Sequence, residues 1–281
     1  MDTNKNISVI AVVYNEAQRI ENFLKSFRWS NDLIIVDKSS TDNTRDIVLQ
    51  YTPNLIIVPY SDTGDEIKYG VEIAKNEWIM TVTASDTIHP ELVFELLNLI
   101  NREDFDCDVV SLPFALYVFG IRNPKRSPWR ATSKKLLMKK TALKTSTEVH
   151  HEISAASNKI YKMGYREKIN LYHLTHENMA TFFERHNRYT RLEAGLFQDE
   201  KIALKTSLRD LFESINFILF KKKSYLLGWD GIAVGLAYIS YYIMKYLYVW
   251  ERFRGKGSDV YKDIHQQIFS IWDARPGDTK K

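Results

Sequence analysis

The side chains near the amino terminus that could do chemistry are Tyr14, Asn15, Glu16 and Asp37. The first three directly follow a nearly unbroken run of apolar residues, and Asp37 ends a second such run. Between the two runs, apolar residues recur at helical spacing, which predicts a strand–helix–strand unit. Ligands of open α/β sheets bind beyond the carboxyl ends of strands, where all four side chains are predicted to lie. We therefore expect a nucleotide site here, with Asp37 accepting a hydrogen bond from a base N–H or a ribose hydroxyl.

The order of these residues resembles that of a known family. The segment V-V-Y-N-E, followed about twenty residues later by V-D-x-x-S-x-D-x-T, is similar to the opening of family 2 glycosyltransferases. This resemblance implies the GT-A nucleotide-sugar fold and a nucleotide-diphosphate sugar donor, with a UDP-sugar as the expected one. An ordinary strand–helix–strand unit with Asp42 as a capping residue is the alternative. The ordered pair of motifs on two strand ends favours the glycosyltransferase.

Residues 83–86 read Thr-Ala-Ser-Asp where family 2 enzymes carry a D-x-D motif that holds a divalent metal on the donor diphosphate. Thr83 and Ser85 replace the two aspartates, so Asp86 is the carboxylate left as a metal ligand. The resemblance also implies that Ser85 and Asp86 contact the donor. Because Mg²⁺ commonly uses one or two carboxylates plus phosphate oxygens, we expect a weak or partial dependence on Mg²⁺ or Mn²⁺. A helix N-cap is the alternative role for Asp86.

Four basic side chains are expected to contact the donor. Lys68 lies where related proteins carry a basic residue that faces the donor. His173 and the N-R-Y segment after it resemble a subgroup of bacterial transferases, and this implies that His173, Arg185 and Arg188 meet the departing diphosphate. Arg185 and Arg188 are three residues apart and therefore share one helix face. The alternatives are a solvated lysine and surface arginines that pair with neighbouring glutamates.

The segment V-H-H-E that ends at Glu152 resembles the V-H-E segment of bacterial transferases that extend lipopolysaccharide core or capsule oligosaccharides. The resemblance implies that Glu152 is the general base. A carboxylate suits this role because partial burial can raise its pKa toward the working pH. Glu148 is the competing base. His150 or His151 could hold a metal or orient the base, and a hydrogen-bonded pair in a loop is the alternative for both.

Composition and charge restrict the partners. The chain has 281 residues, a net charge of +4 and one cysteine, so an internal disulfide framework is excluded. Its lysines and arginines occur in clusters, which favours phosphates, diphosphates or a membrane surface over nucleic acid as the anionic partner. No basic-then-apolar leader precedes the first apolar run, so a cytoplasmic location is expected.

Repeated strand and helix patterns through the first hundred residues predict an α/β fold with a mostly parallel sheet and helices on both faces. After residue 112 the pattern becomes short and mixed, with prolines between the segments, and predicts antiparallel or edge strands. We expect a GT-A catalytic domain at 1–205 and a helical, membrane-associated region at 206–281.

The segment 231–244 carries no charge, but it is short for a membrane span, which needs about 20 apolar residues. Tyrosines spread along it and Lys245 after it favour a helix that lies in the interface, on the inner face of the cell membrane. A buried helix or a homodimer contact is the alternative.

Together these patterns predict an inverting glycosyltransferase that moves a sugar to a lipid-linked or cell-envelope saccharide. A nucleotide-sugar-binding partner or scaffold protein that has lost turnover is the alternative, because the D-x-D motif is degraded. A Rossmann oxidoreductase is excluded because no G-x-G-x-x-G follows the first strand.

Overall fold

The computed structural model of the protein describes residues 6–61, 65–123, 125–129, 132–144, 154–164, 166–255 and 257–273. The chain divides into two compact units, Met1–Phe182 and Phe183–Lys281. The predicted boundary after residue 205 separates a catalytic region from a membrane-associated one, and it stays a prediction.

Strands and helices alternate through the first part of unit 1, as the apolar periodicity predicts. The strands are β1 (Ile7–Val13), β2 (Asp32–Asp37), β3 (Leu55–Ile57), β4 (Trp78–Val82), β5 (Asp86–Ile88), β6 (Val109–Val118), β7 (Ser133–Lys139), β8 (Leu143–Lys144), β9 (Ser154–Ala155), β10 (Ile160–Lys162) and β11 (Leu171–Thr175). The helices are α1 (Ile20–Phe27), α2 (Thr44–Leu49), α3 (Ile67–Ile73) and α4 (Pro90–Ile100), and α5 (Met179–Leu196) begins at the end of the unit.

Nine of the strands form one mixed sheet in the order β3-β2-β1-β4-β7-β6-β11-β5, with β10 also pairing with β6. The β1–β2, β1–β4 and β2–β3 pairs are parallel, whereas β7 runs antiparallel to both of its neighbours. Apolar side chains fill both faces of this sheet: α1 and α4 cover one face, and α3 covers the other. The α/β fold of GT-A type, with helices on both faces, is thereby confirmed.

One predicted strand end was wrong. The strand expected to stop at residue 112 continues as β6 through Pro113 to Val118. Proline is tolerated there because the pairing with β10 ends at Ser111 and the pairing with β11 begins at Phe114. On the other side Pro113 is paired with Ser133 of β7, but the N–H that donates to this neighbour is that of Phe114, to the Thr132 carbonyl oxygen at 3.1 Å. Neither side therefore requires an N–H at Pro113. The partner of β6 on one side changes from β10 to β11 near Pro113, and a change of partner strand cannot be seen in the sequence.

Unit 2 is helical. It contains most of α5, then α6 (Glu200–Asn216), a π turn at Phe217–Lys222, a 3₁₀ turn at Ser224–Leu227, α7 (Gly228–Arg254) and α8 (Gly257–Asp273). A small apolar core joins α5, α6 and α7 through Ala194, Ala203 and Val249. Helices α7 and α8 lie within the segment 206–281 that the sequence predicts to be helical, and α6 begins before that segment.

Two glycines fix the entry into α7. Gly228 has φ +67°, a conformation that L side chains rarely adopt. A Cβ on Gly231 would lie 1.8 Å from the carbonyl oxygen of Ser224, so only glycine fits against the preceding turn. By length and composition alone, one helical stretch among the described residues, Ser224–Arg254, could cross a membrane.

Candidate functional site

The loops that follow β1 and β2 are hydrogen-bonded to each other. The Asn15 N–H donates to Ser40 Oγ at 2.8 Å, and the Thr41 N–H donates to Asn15 Oδ1 at 2.8 Å. One residue further, the Glu16 N–H donates to Thr44 Oγ1 at 2.8 Å. The hydroxyl groups of Ser40 and Thr44 in the second motif therefore fix the backbone of the first motif.

Asp42 strengthens the same connection. Its carboxylate accepts hydrogen bonds from the Ala17 N–H at 3.1 Å and the Thr44 N–H at 3.0 Å. Burial alone would raise the pKa of Asp42, but these bonds and one from the Thr44 hydroxyl outweigh burial and lower the pKa. Asn43 precedes α2 and its side chain makes no capping hydrogen bond, so the bond that Asp42 accepts from the Thr44 N–H is the one that caps the helix.

Asp37 lies at the carboxyl end of β2 and is fully buried. Its two oxygens accept hydrogen bonds from the N–H and the hydroxyl of Ser40, and Arg45 Nε lies 3.7 Å from Oδ2. Asn15 and Ser39, with φ of 52° and 58°, turn the backbone through the left-handed region at the two strand ends. Residues other than glycine rarely adopt this backbone conformation, and those that do are often found at binding sites. The bond from Asp37 to a base or ribose stays a prediction.

Tyr14 contacts a residue that the sequence did not suggest. Its ring centroid lies 4.6 Å from that of Tyr60, and Lys38 Nζ lies 5.4 Å from the Tyr60 centroid. Lys38 is also 3.4 Å from a carboxylate oxygen of Glu66. Half-exposed aromatic rings at a strand end offer a flat apolar surface of the kind on which a base can stack. Sequence reasoning missed Tyr60 because it lies in an irregular segment after β3.

Lys68 is the second residue of α3, its side chain is partly exposed, and it forms an ion pair with Asp65. Chiefly the hydrogen bond to Asp65 raises the pKa of the Lys68 ammonium group. The lysine is therefore cationic and partnered, and its contact with a donor stays a prediction.

Asp86 and His173 meet although they are 87 residues apart in sequence. They are opposite each other in the antiparallel β5–β11 pair, and His173 Nδ1 lies 2.7 Å from Asp86 Oδ1. The other oxygen of Asp86 accepts from the Thr83 N–H at 2.7 Å and the Thr83 hydroxyl at 3.1 Å. Asp86 is only 4% exposed. The carboxylate therefore fixes the turn after β4 and orients the imidazole.

The alternative reading of Asp86 as a helix N-cap was wrong. Asp86 begins β5, and the N-cap of α4 is His89, whose side chain accepts a hydrogen bond from the Glu91 N–H. Ser85 is buried beside Asp86, and its carbonyl oxygen accepts from the Leu174 N–H at 2.8 Å. The prediction that Ser85 contacts a donor is not decided by this bond and stays a prediction.

A cavity of about 930 Å³ opens beside His173. The imidazole stacks on Phe114 with ring centroids 5.6 Å apart and an interplanar angle of 28°. The side chains that line the cavity come from β6, β7, β10, β11 and the adjoining loops. They are Ser111, Phe114, Leu116, Trp129, Thr132, Ser133, Lys134, Lys135, Ile160, Lys162, His173, Thr175 and His176. The cavity is thus basic and partly aromatic.

The described residues do not form a complete metal site. Among them, no group of three His, Cys, Asp or Glu side chains is placed to hold a metal ion. Asp86 is the one predicted ligand there, and both of its oxygens already accept hydrogen bonds. The predicted base Glu152, its competitor Glu148, and His150 and His151 lie outside the described residues. Weak or partial dependence on Mg²⁺ or Mn²⁺ stays a prediction.

Arg185 and Arg188 lie on the part of α5 that belongs to unit 2, whereas His173 belongs to unit 1. The guanidinium carbon of Arg188 lies 5.2 Å from the ring centroid of Tyr189. Their predicted contact with the diphosphate stays a prediction.

The sequence model of glycosyl transferase family 2 matches residues 8–168, which is more than half of the chain. The chain belongs to glycosyltransferase family 2. The resemblance carried by the two motifs is thereby confirmed, and the matched range contains the linked loops, Thr83–Asp86 and most of the cavity.

Curated relatives of this glycosyltransferase share part of its length. An uncharacterized glycosyltransferase of Rickettsia bellii is 30% identical over 103 residues, which cover 36% of this chain and 35% of that protein. The SPbeta prophage-derived glycosyltransferase SunS of Bacillus subtilis is 29% identical over 109 residues, which cover 37% of this chain and 26% of SunS. The match with the Rickettsia bellii protein thus spans about a third of that relative's length.

Among solved structures, TarS 1-349 of S. aureus in complex with UDP-GlcNAc is similar to this chain with a TM-score of 0.46 and 16% identity. The alignment covers 85% of this chain and 81% of that one.

Proposed function

We propose that the protein is an inverting glycosyltransferase that moves a sugar from a nucleotide-diphosphate donor, a UDP-sugar, to a lipid-linked or cell-envelope saccharide. The observation that carries this proposal is the set of hydrogen bonds that joins the Tyr14–Glu16 segment to the loop after Asp37. Family membership gives the reaction class, and the linked strand ends support the proposal of a nucleotide site at this edge of the sheet. Rigid placement matters because transfer requires the donor to be held for in-line attack.

The proposed roles of the strand-end residues follow from position, and the role of Glu152 follows from the sequence resemblance. The nucleotide would lie against Tyr14 and the loop that contains Asp37, at the carboxyl ends of β1 and β2. The sugar end would point toward the cavity beside His173, which lies on the strands beyond β4 in the same sheet. Glu152 would accept the proton of the acceptor hydroxyl as the new glycosidic bond forms and the diphosphate leaves. A divalent metal would add charge neutralisation at the diphosphate when bound.

The first test is donor binding and turnover by the full chain. A panel of UDP-, GDP- and ADP-sugars would be titrated by calorimetry, with Mg²⁺, with Mn²⁺ and with chelator, and release of nucleoside diphosphate would then be followed for each donor. Selective binding of one UDP-sugar with slow diphosphate release supports the proposal. Failure of every donor to bind would refute it.

A second candidate function is a nucleotide-sugar-binding partner without turnover. It is favoured by one observation, namely that Asp86 is committed to Thr83 and His173 while the other carboxylates of the usual motif are absent. Tight donor binding with no diphosphate release, in the presence of a wide range of saccharide acceptors, would select this function over the enzyme.

We also propose that unit 2 binds the cytoplasmic face of the cell membrane. Six exposed apolar side chains occur on α7 at helical spacing. They are Trp229, Ile232, Leu236, Ile243, Leu247 and Trp250. At about 100° per residue they fall within a sector of about 60°, so they form one narrow stripe. An exposed apolar stripe on a long helix is typical of helices that lie in a membrane interface, and a homodimer contact is the competing use.

A further inference from the structure

The walls of the cavity beside His173 carry an excess of positive charge. Lys134, Lys135 and Lys162 line it together with His173 and His176, and no carboxylate is among its described lining residues. Like charges that face one volume repel each other, so such a surface is stabilised when an anion occupies it.

Strand register brings two of these lysines to one place. Lys135 on β7 and Lys162 on β10 are each the register partner of Ser111 on β6. Residues directly opposite each other on neighbouring strands project from the same face of a sheet. Lys135, Ser111 and Lys162 therefore form a row across three strands. At about 4.8 Å per strand the two lysine backbones are about 10 Å apart, and long flexible stems let both ammonium groups meet one anion between them.

A β-bulge produces this arrangement. The pairing of β6 with β7 shifts register between Val110 and Ser111, so that Ser111 faces Lys135 where a regular ladder would place Leu136. Leu136 and Leu137 are both buried, whereas Lys135 is exposed. The bulge thus sets two consecutive leucines into the core and presents a lysine to the cavity. Bulges commonly re-aim a side chain in this way beside functional sites.

These two lysines also differ from others in the unit. Several lysines of unit 1 have a carboxylate oxygen within 4 Å. They are Lys25, Lys38, Lys68, Lys139 and Lys159. In the described part of the chain, Lys135 and Lys162 have no such carboxylate. Charge at a cavity that the described residues leave uncompensated is available for a ligand.

The position of the cavity separates it from the nucleotide. β7 is antiparallel to β4, so its first residues lie at the edge of the sheet where β1, β2 and β4 end. In the strand order, β6 is three strands from β1, about 14 Å at the usual spacing. A donor whose nucleotide lies at β1 and β2 would therefore present its sugar toward this cavity, on the side where an acceptor must approach.

We propose that Lys135 and Lys162 bind an anionic group, a phosphate or carboxylate, on the saccharide that accepts the sugar. The inference rests on the proposed glycosyltransferase function and narrows its acceptor class from saccharides in general to anionic ones. Ser111 between the lysines can donate a further hydrogen bond to the anion, and Lys134 adds to the positive field.

The direct test measures binding of three probes to the full chain: methyl glucoside, methyl glucoside 6-phosphate and methyl glucuronide. The 6-phosphate should bind at least tenfold more tightly than the neutral glucoside, and the difference should shrink in 0.5 M salt, where charges are screened over about 4 Å. The glucuronide arm shows whether a carboxylate is accepted in place of a phosphate. Equal binding of charged and neutral probes would overturn the proposal.

The variants Lys135→Gln and Lys162→Gln should each weaken binding of the 6-phosphate about tenfold, equivalent to about 1.4 kcal/mol, and leave the neutral probe unchanged. Lys75→Gln removes an exposed lysine just before β4 and serves as the matched control. A comparable loss in that control would mean that net charge alone attracts the probe, and the site would be wrong.

UDP affinity distinguishes the acceptor from the donor. If the lysine variants weaken the binding of UDP as much as the binding of the 6-phosphate, the cavity binds the donor diphosphate and the proposal is overturned. Probe binding needs neither donor nor turnover. The wild-type protein could bind the 6-phosphate through the two lysines and yet bind no sugar donor. That result would refute the proposed transferase function and support the anion site.

Discussion

Replacement of Asp86 by asparagine tests whether this carboxylate is chiefly an organiser of the site. Asp86→Asn keeps the size of the side chain and removes its charge. In the native protein the nearly buried carboxylate accepts two hydrogen bonds from Thr83 and lies 2.7 Å from His173 Nδ1. A hydrogen bond to a charged group contributes about 1.5–3 kcal/mol, against about 0.5–1.5 kcal/mol for a neutral one. The difference is about 1–1.5 kcal/mol for each of these three contacts, which predicts a loss of about 3–4.5 kcal/mol in the free energy of unfolding.

The assay is urea denaturation of Asp86→Asn, His173→Gln and the double variant. Because the two residues are in contact, the double-mutant cycle should show a coupling of about 1–2 kcal/mol. Asp106→Asn is the matched control: its carboxylate is exposed and pairs with Lys159, so it should change stability by less than about 1 kcal/mol.

Activity with and without chelator completes this test. We expect chelator to reduce activity without abolishing it, because Thr83 and Ser85 offer no carboxylate to a metal. If Asp86 chiefly organises the site, Asp86→Asn should lower activity by a similar factor with and without chelator and leave part of it. The reasoning would be refuted by a variant of native stability, with no coupling to His173, that had lost all activity. That result would make Asp86 a dedicated ligand of metal or donor rather than a structural centre.

Three further predictions address the nucleotide, the base and the membrane. Asp37→Asn should weaken UDP binding by about 1–3 kcal/mol as measured by calorimetry, and an unchanged affinity would show that Asp37 does not contact the nucleotide. Glu152→Gln should lower kcat by about 10² with donor affinity near wild type; loss in Glu148→Gln instead would reassign the base. Leu236→Asp on the α7 stripe should shift the protein from sedimented membranes to the supernatant, whereas Phe94→Asp, an equally exposed apolar site in unit 1, should not.

The fold could be predicted because its signals are local. Buried parallel strands read as continuous apolar runs, and helices read as apolar residues at helical spacing, so β1, α1 and β2 follow directly from the sequence. Polar residues at strand ends then indicate where a ligand is expected. The strand β6 was cut short because Pro113 reads locally as an end, and only its position between two successive partner strands explains why it is tolerated.

Pairings between distant residues could not be predicted in the same way. Asp86 meets His173 because β5 and β11 are antiparallel neighbours in one register, and a shift of one residue would separate them. Similarly, Ser40 and Thr44 belong to the second motif, and their hydroxyls accept hydrogen bonds from backbone N–H groups 25 and 28 residues away. The sequence contains these residues but not the register that decides their partners.

The charge pattern of unit 2 bears on how α7 meets a membrane. From Trp229 to Trp250 the helix advances about 31 Å, close to the thickness of a hydrocarbon core, so length alone would permit a span. The ion pairs of Lys245 on α7 argue against a span. Its Nζ lies 3.2 Å from Asp210 on α6 and 3.3 Å from Glu193 on α5. A span would carry these charges and the polar helices that bear them into hydrocarbon, which costs several kcal/mol per charge. A helix that lies in the interface buries the apolar stripe and keeps the charged face toward water. High-salt or alkaline carbonate washing should therefore release the protein, and retention until detergent is added would show that α7 crosses the bilayer.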